Sequence, residues 1–190
     1  MKDIYAGDMT RLIVLDAKEG AKAFARWDRD SEFRRYLDSG AAYLISSNKI
    51  EKEIEEDANE NSPRFYPFGV RALTGDAIIG VVDLFVYNWT GRDAFVGIGF
   101  GEREYWGKGY GADAMNLILR YAFTELNLRR VTLNVFEYNP RAIRSYEKVG
   151  FRHEGRIRQA LNKEGKRWDM LFMGILRGEW MEQNDYKTTN

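Results

Sequence analysis

The chain has 190 residues, of which 44% are hydrophobic and 14% aromatic, enough to bury one substantial core but cramped for two, so residues 1–190 read as a single domain. Lys and Arg number 29 and Asp and Glu also 29, which leaves no broad positive field of the kind nonspecific nucleic-acid binding requires. With no cysteine and one histidine, His153, the sequence excludes disulfides, thiolate metal sites and a cysteine nucleophile, and it argues against a histidine metal cluster or a Ser–His dyad; no metal is expected.

The opening Met1-Lys2-Asp3-Ile4-Tyr5 leads into charged residues without an apolar signal core, and no apolar run reaches membrane-spanning length, so a cytoplasmic protein without a membrane partner is expected. Leu12 to Leu15 is a short strand candidate. From Asp16 to Asn61 the chain is rich in Ala, Glu, Lys and Arg with apolar residues at helical intervals, which predicts two or three helices. Aromatic and β-branched residues then dominate three runs, Phe65 to Leu73, Ala77 to Tyr87 and Ala94 to Phe100, separated by turn-forming residues; they predict an antiparallel meander. Met115, Ile118, Leu119, Ala122 and Leu126 share one face of a helix. Arg130 to Phe136 alternates as a strand. Pro140 to Lys148 reads as a short helix, capped by Asn139, with proline at its first position and Gly150 ending it. Two more strands, Phe151 to Leu161 and Trp168 to Leu176, flank the turn Asn162-Lys163-Glu164-Gly165.

Between the meander and the long helix stands Trp106-Gly107-Lys108-Gly109-Tyr110-Gly111-Ala112. Three alternating glycines ahead of a helix let backbone N–H groups approach a phosphate at a terminus that favours negative charge. Neither common nucleotide motif fits. A Walker A loop needs four residues between its glycines and a hydroxyl after the lysine, whereas five separate Gly101 from Gly107 and Gly109 follows Lys108. A dinucleotide fingerprint needs G-x-G-x-x-G and an acid about 20 residues on, where Val131 stands. Taken alone, the stretch is equally a glycine-rich connection with no ligand.

The order strand, glycine cradle, helix, strand is followed by Asn139-Pro140-Arg141-Ala142-Ile143-Arg144-Ser145-Tyr146-Glu147-Lys148-Val149-Gly150-Phe151. Together these resemble the GNAT superfamily of acetyl-CoA-dependent N-acetyltransferases over nearly the whole chain. Gly109 and Gly111 fall at the glycine positions of the family's [QR]-x-x-G-x-[GA] signature, and Tyr146-Glu147-Lys148 with Gly150-Phe151 matches its Tyr-Glu-Lys-x-Gly-Phe signature. The branch that includes the ribosomal-protein N-terminal (RimJ/RimL-type) acetyltransferases is the most similar. One departure is Trp106 at the usual Gln/Arg position, tolerable where backbone does the binding.

The resemblance implies an α/β fold with a mixed, mostly antiparallel central sheet, splayed to leave a cleft and flanked by helices. It implies acetyl-CoA as cosubstrate and a primary amine as acceptor, either a protein N-terminus or a small molecule such as a polyamine, joined by direct attack in a ternary complex. Amides of Gly107, Lys108, Gly109, Tyr110, Gly111 and Ala112 would hold the diphosphate, with Trp106 beside them. A bulge near Phe100 and Gly101 would part the strands for the pantetheine arm. Asn139 would cap the helix and reach that arm, and Arg141 and Arg144 would face the adenosine phosphates. Tyr146 would protonate the departing thiolate, a phenol near pKa 10 serving a thiol near 8.5. Asp83, Asp93 and Glu102 are the acids placed to act as general base, since Phe95 stands where some relatives carry a glutamate. A homodimer follows from family habit, and the other reading is an acyl-CoA-binding sensor that keeps the cradle without transfer.

Overall fold

A computed structural model describes residues 3–59 and 64–186. Seven strands form one sheet in the order β1-β2-β3-β4-β5-β7-β6. The first four, β1 (Thr10–Ile13), β2 (Phe65–Ala72), β3 (Ile78–Asn88) and β4 (Asp93–Phe100), are antiparallel neighbours, as the alternating aromatic and β-branched runs predict. β5 (Arg130–Phe136) lies parallel to β4, and β7 (Lys166–Leu176) joins it to the edge strand β6 (Arg152–Lys163). Glu164 and Gly165, both at positive φ, turn the last hairpin in two residues. The fold is therefore the mixed, mostly antiparallel α/β sheet expected.

Strand alternation sorts the sheet into two faces. Even-numbered residues of β3 and β4, among them Val82, Leu84, Val86, Ala94 and Val96, join odd-numbered residues of β5 and β7 in the main core. Over that face lies α4 (Tyr110–Arg120), whose Met115, Ile118 and Leu119 are fully buried, and α5 (Pro140–Val149) packs beside it. α4 continues as one π-helical turn, Tyr121–Glu125, so the periodic stretch out to Leu126 is helical but not one regular helix.

The other face carries α1 (Ala17–Trp27) and α2 (Ser31–Leu37), with α3 (Ser47–Asn59) against α1. Asp16 and Asp30 cap α1 and α2 by accepting from the amides of Glu19 and Glu32. Trp27 and Phe33 fill a second, smaller core. Glycines let these helices approach closely: a methyl group on Gly101 would overlap the Trp27 ring, and one on Gly99 would lie 2.8 Å from Leu37. Close packing thus accounts for those two glycines.

A last helix, α6 (Arg177–Gln183), was not anticipated; its buried Trp180 packs on Phe123, with ring centroids 5.5 Å apart. Among the described residues, no helix is long and apolar enough to cross a membrane.

Candidate active site

The site begins where two strands part. β4 and β5 are paired over three residues, Asp93↔Arg130 to Phe95↔Thr132, after which no register partners join them. The unpaired halves, from Val96 and from Leu133 onward, wall a cavity of about 550 Å³. No bulge at Phe100 and Gly101 produces this: β4 keeps regular register with β3 from Ala94 to Phe100, and the irregularity falls between Val86 and Asn88. The expected bulge is corrected accordingly. On its far side β5 stays paired with β7 along its whole length, Arg130 to Phe136, so the gap opens on the β4 side alone.

At one end of the cavity stands the N-terminus of α4. Gly107 and Gly109 have φ of +72° and +97°, left-handed values that a side chain would strain. Gly109 is the N-cap and offers no side-chain oxygen, so the amides of Tyr110, Gly111 and Ala112 have no partner within the helix. Gly107, Gly109, Gly111 and Ala112 line the cavity. Lys108 is exposed and lies off that lining, and Tyr110 turns its ring edge-on to Tyr105 at 4.8 Å. Asp113, one turn in, is committed elsewhere: it accepts from the amides of Asp8, Met9 and Thr10 and from the Thr10 hydroxyl at 2.6 Å, tying β1 to α4.

α5 borders the cleft from the other strand. Asn139 accepts from the Ala142 amide at 3.1 Å, Pro140 occupies the first position, and Gly150 at φ +107° ends the helix, as the sequence predicts. Arg141, Arg144 and Lys148 give this wall three cations. Arg141 lies over the Trp106 ring at 3.6 Å and over Tyr36 at 5.4 Å, where burial lowers its pKa. Trp106 donates its Nε1–H to the Phe100 carbonyl at 2.7 Å. The tryptophan at the signature's Gln/Arg position thus supports both the end of β4 and an arginine of the opposite wall.

Tyr146 faces the cavity, and burial pushes its phenol up to about 12, against a smaller opposing pull from Arg141. Among the described residues, Asp83 is the one carboxylate lining the cavity. Burial raises it to about 6, partly offset by a backbone hydrogen bond at Gly97, while the charge of Asp57 adds to the rise. Glu102 does not join them. It accepts from Trp27 Nε1 at 2.9 Å and from Arg26, bracing α1 against the loop after β4. Asp93 pairs with Arg129 at 2.8 Å at the closed end of the β4–β5 pair. Phe95, which the resemblance sets where some relatives carry a glutamate, lines the cavity; Asn134, Tyr36, Ser145 and Lys148 also line it and were not singled out in the sequence, although the odd-even alternation of β5 carried the signal for Asn134.

Residues 11–152 match the model of the acetyltransferase (GNAT) domain family. The spermidine N(1)-acetyltransferase of Vibrio cholerae is 30% identical over 143 residues, covering 74% of this chain and 79% of that protein. The SPbeta prophage-derived N-acetyltransferase YokL of Bacillus subtilis is 28% identical over 152 residues, covering 80% and 82%. The crystal structure of the Vibrio cholerae spermidine N-acetyltransferase in complex with CoA and spermine superposes with a TM-score of 0.79 at 26% identity, covering 90% of this chain and 98% of that one. A sheet parted beside an uncapped glycine-led helix, on a chain matched over that whole region, places this protein in the GNAT acetyltransferase family as an acetyl-CoA-dependent N-acetyltransferase.

Proposed function

We propose that the protein moves acetyl from acetyl-CoA directly to a primary amine, with both substrates bound in the cleft between β4 and β5, and that residues 1–190 work as one domain. The observation that carries this reading is the polarity of the cavity. Three cations and the unpaired amides of α4 suit an anionic cosubstrate, and the carboxylate of Asp83 suits a cationic acceptor.

Acetyl-CoA supplies an acetyl group activated as a thioester, which the amine nitrogen takes as the C–N bond forms, the C–S bond breaks and sulfur leaves as the CoA thiol. The amides of residues 107–112 hold the diphosphate, with Arg141 and Arg144 toward its phosphates. Asp83 takes a proton from the incoming ammonium. With a pKa of about 6 it is ionised at neutral pH and stands roughly two units below an α-amino group, against more than four below a lysine-like amine.

Tyr146 donates a hydrogen bond to the leaving sulfur. A phenol at about 12 facing a thiol near 8.5 makes complete transfer uphill by roughly 5 kcal/mol. Its proton therefore moves only as the acceptor nitrogen gives up its own. The acceptor is a protein N-terminus, as in the ribosomal-protein branch, or a small amine of the polyamine kind.

The test is thiol release from acetyl-CoA across a panel of peptides, polyamines, amino acids and aminoglycosides. Release that depends on one acceptor class supports the reading. Binding of CoA without release for any amine would leave a sensor instead.

A further inference from the structure

One row of side chains on the sheet leads straight into the cavity. Phe65, Phe85 and Phe95 are register partners across β2, β3 and β4, so three phenylalanines stand side by side on one face. The next row inward is Pro67, Asp83 and Gly97 on the same three strands. Phe95 and Asp83 both line the cavity, so the phenylalanine row is continuous with it. Among the described residues, α1 and α2 cover this face further along, at Gly99 and Val81, while Phe65 and Phe95 are half-buried and Phe85 is 45% exposed, as is Tyr87 one step beyond. Three large rings beside a half-buried carboxylate make an apolar seat at the point where an acceptor amine would enter.

We infer that the acceptor is a peptide N-terminus whose first residue carries a large apolar side chain, seated on Phe65, Phe85 and Phe95 while its α-amino group meets Asp83. This rests on the acetyltransferase reading above and narrows its acceptor. Side-chain directions support it. The α-amino group and the first side chain leave the same carbon, and Asp83 and Phe85 are neighbours two residues apart on one strand face.

Charge separates this acceptor from its rivals. A free amino acid would set its carboxylate close to Asp83 and to Asp57, whose charge reaches Asp83. A peptide presents a neutral amide there. A polyamine has further ammonium groups, which could meet Asp83 and Asp57 beside the cavity, but along the row they find only rings, and rings hold a cation weakly where water reaches it.

The experiment compares peptides alike except for a first residue of Phe, Leu, Ser or Gly, with spermidine and free phenylalanine alongside, in the wild type and in Phe85→Ala and Phe95→Leu. Thiol release gives kcat and KM, and calorimetry on the CoA-loaded protein gives peptide affinity without turnover. Peptides beginning with Phe or Leu are expected to exceed those beginning with Gly by roughly ten- to a hundredfold in kcat/KM, mainly through KM. Phe85→Ala is expected to shrink that ratio about tenfold, with the same trend in affinity and a Tm near the wild type. Phe95→Leu keeps an apolar wall and should shrink it less. A ratio unmoved by Phe85→Ala, equal use of all first residues, or a preference for spermidine overturns the seat while leaving the acetyltransferase intact. Release with no amine at all overturns both.

Discussion

The carboxylate of Asp83 bends over the α-carbon of Gly97, its register partner on β4, so closely that a methyl group there would lie 2.7 Å from Oδ2. The carboxylate also takes a hydrogen bond from backbone at Gly97. Position and proton affinity of the proposed base therefore depend on a glycine with no side chain of its own. In the wild type kcat/KM should fall as pH drops through about 6, because protonated Asp83 cannot accept a proton. Gly97→Ala should move that limb away from 6 and lower kcat/KM at pH 8 about tenfold. A profile identical to the wild type would remove Asp83 from proton abstraction.

Asp83→Asn should trade function for stability. A carboxyl raised from 3.8 to about 6 in the folded protein binds its proton more tightly there than in the unfolded chain. Stability from this group is thus fully present below about 3.8, lost as pH rises to 6, and absent above. The asparagine variant escapes that loss, worth up to about 3 kcal/mol above pH 6. Its Tm should exceed the wild type's more at pH 8 than at pH 5, while turnover drops. An equal difference at the two pH values would contradict the raised pKa.

Tyr146→Phe keeps the ring and removes the donor. Turnover should fall roughly ten- to a hundredfold while acetyl-CoA affinity stays within about threefold, since the cradle is untouched. Single-turnover rates and calorimetric affinity separate the two effects, and unchanged turnover would rule out a role for the phenol at sulfur.

The cradle separates backbone from side chain. At φ +97°, any residue but glycine at position 109 costs about 1–2 kcal/mol in strain and crowds the approach to the α4 amides. Gly109→Val should abolish CoA binding by calorimetry. Lys108→Ala, at an exposed position off the cavity lining, should weaken it by less than about fivefold. Equal losses would mean that the lysine, rather than the main chain, grips the ligand.

Gly101→Ala addresses folding alone. A methyl group there overlaps the buried Trp27 ring, which cannot move aside without disturbing Phe33 and Phe24 around it. Overpacking of this kind costs about 3 kcal/mol, or roughly 6–12 °C in Tm for a domain of this size. A Tm within a degree of the wild type would show that α1 has room to shift.

Much of the architecture could be read from the sequence because its signals are local. Asn139-Pro140 and Gly150 mark α5 through capping and a left-handed φ, and Glu164-Gly165 marks a hairpin through turn chemistry. The glycines of the cradle advertise positive φ in the same way. What the sequence hid was set by distant partners. Glu102 and Asp93 look like free acids in the chain, but Arg26, Trp27 and Arg129 claim them in the fold. Asp113 ties to Thr10 across more than a hundred residues. The bulge expected near Gly101 gives way to close packing because nothing local announces Trp27 above it. The phenylalanine row was invisible for the same reason, since register between strands brings Phe65, Phe85 and Phe95 abreast.

A crystal structure of the protein bound to CoA is the most direct measurement. The diphosphate should rest on the amides of residues 107–112, and the thiol should lie between β4 and β5 within hydrogen-bonding reach of the Tyr146 hydroxyl. A diphosphate held away from the start of α4, or a thiol outside that gap, would contradict the account.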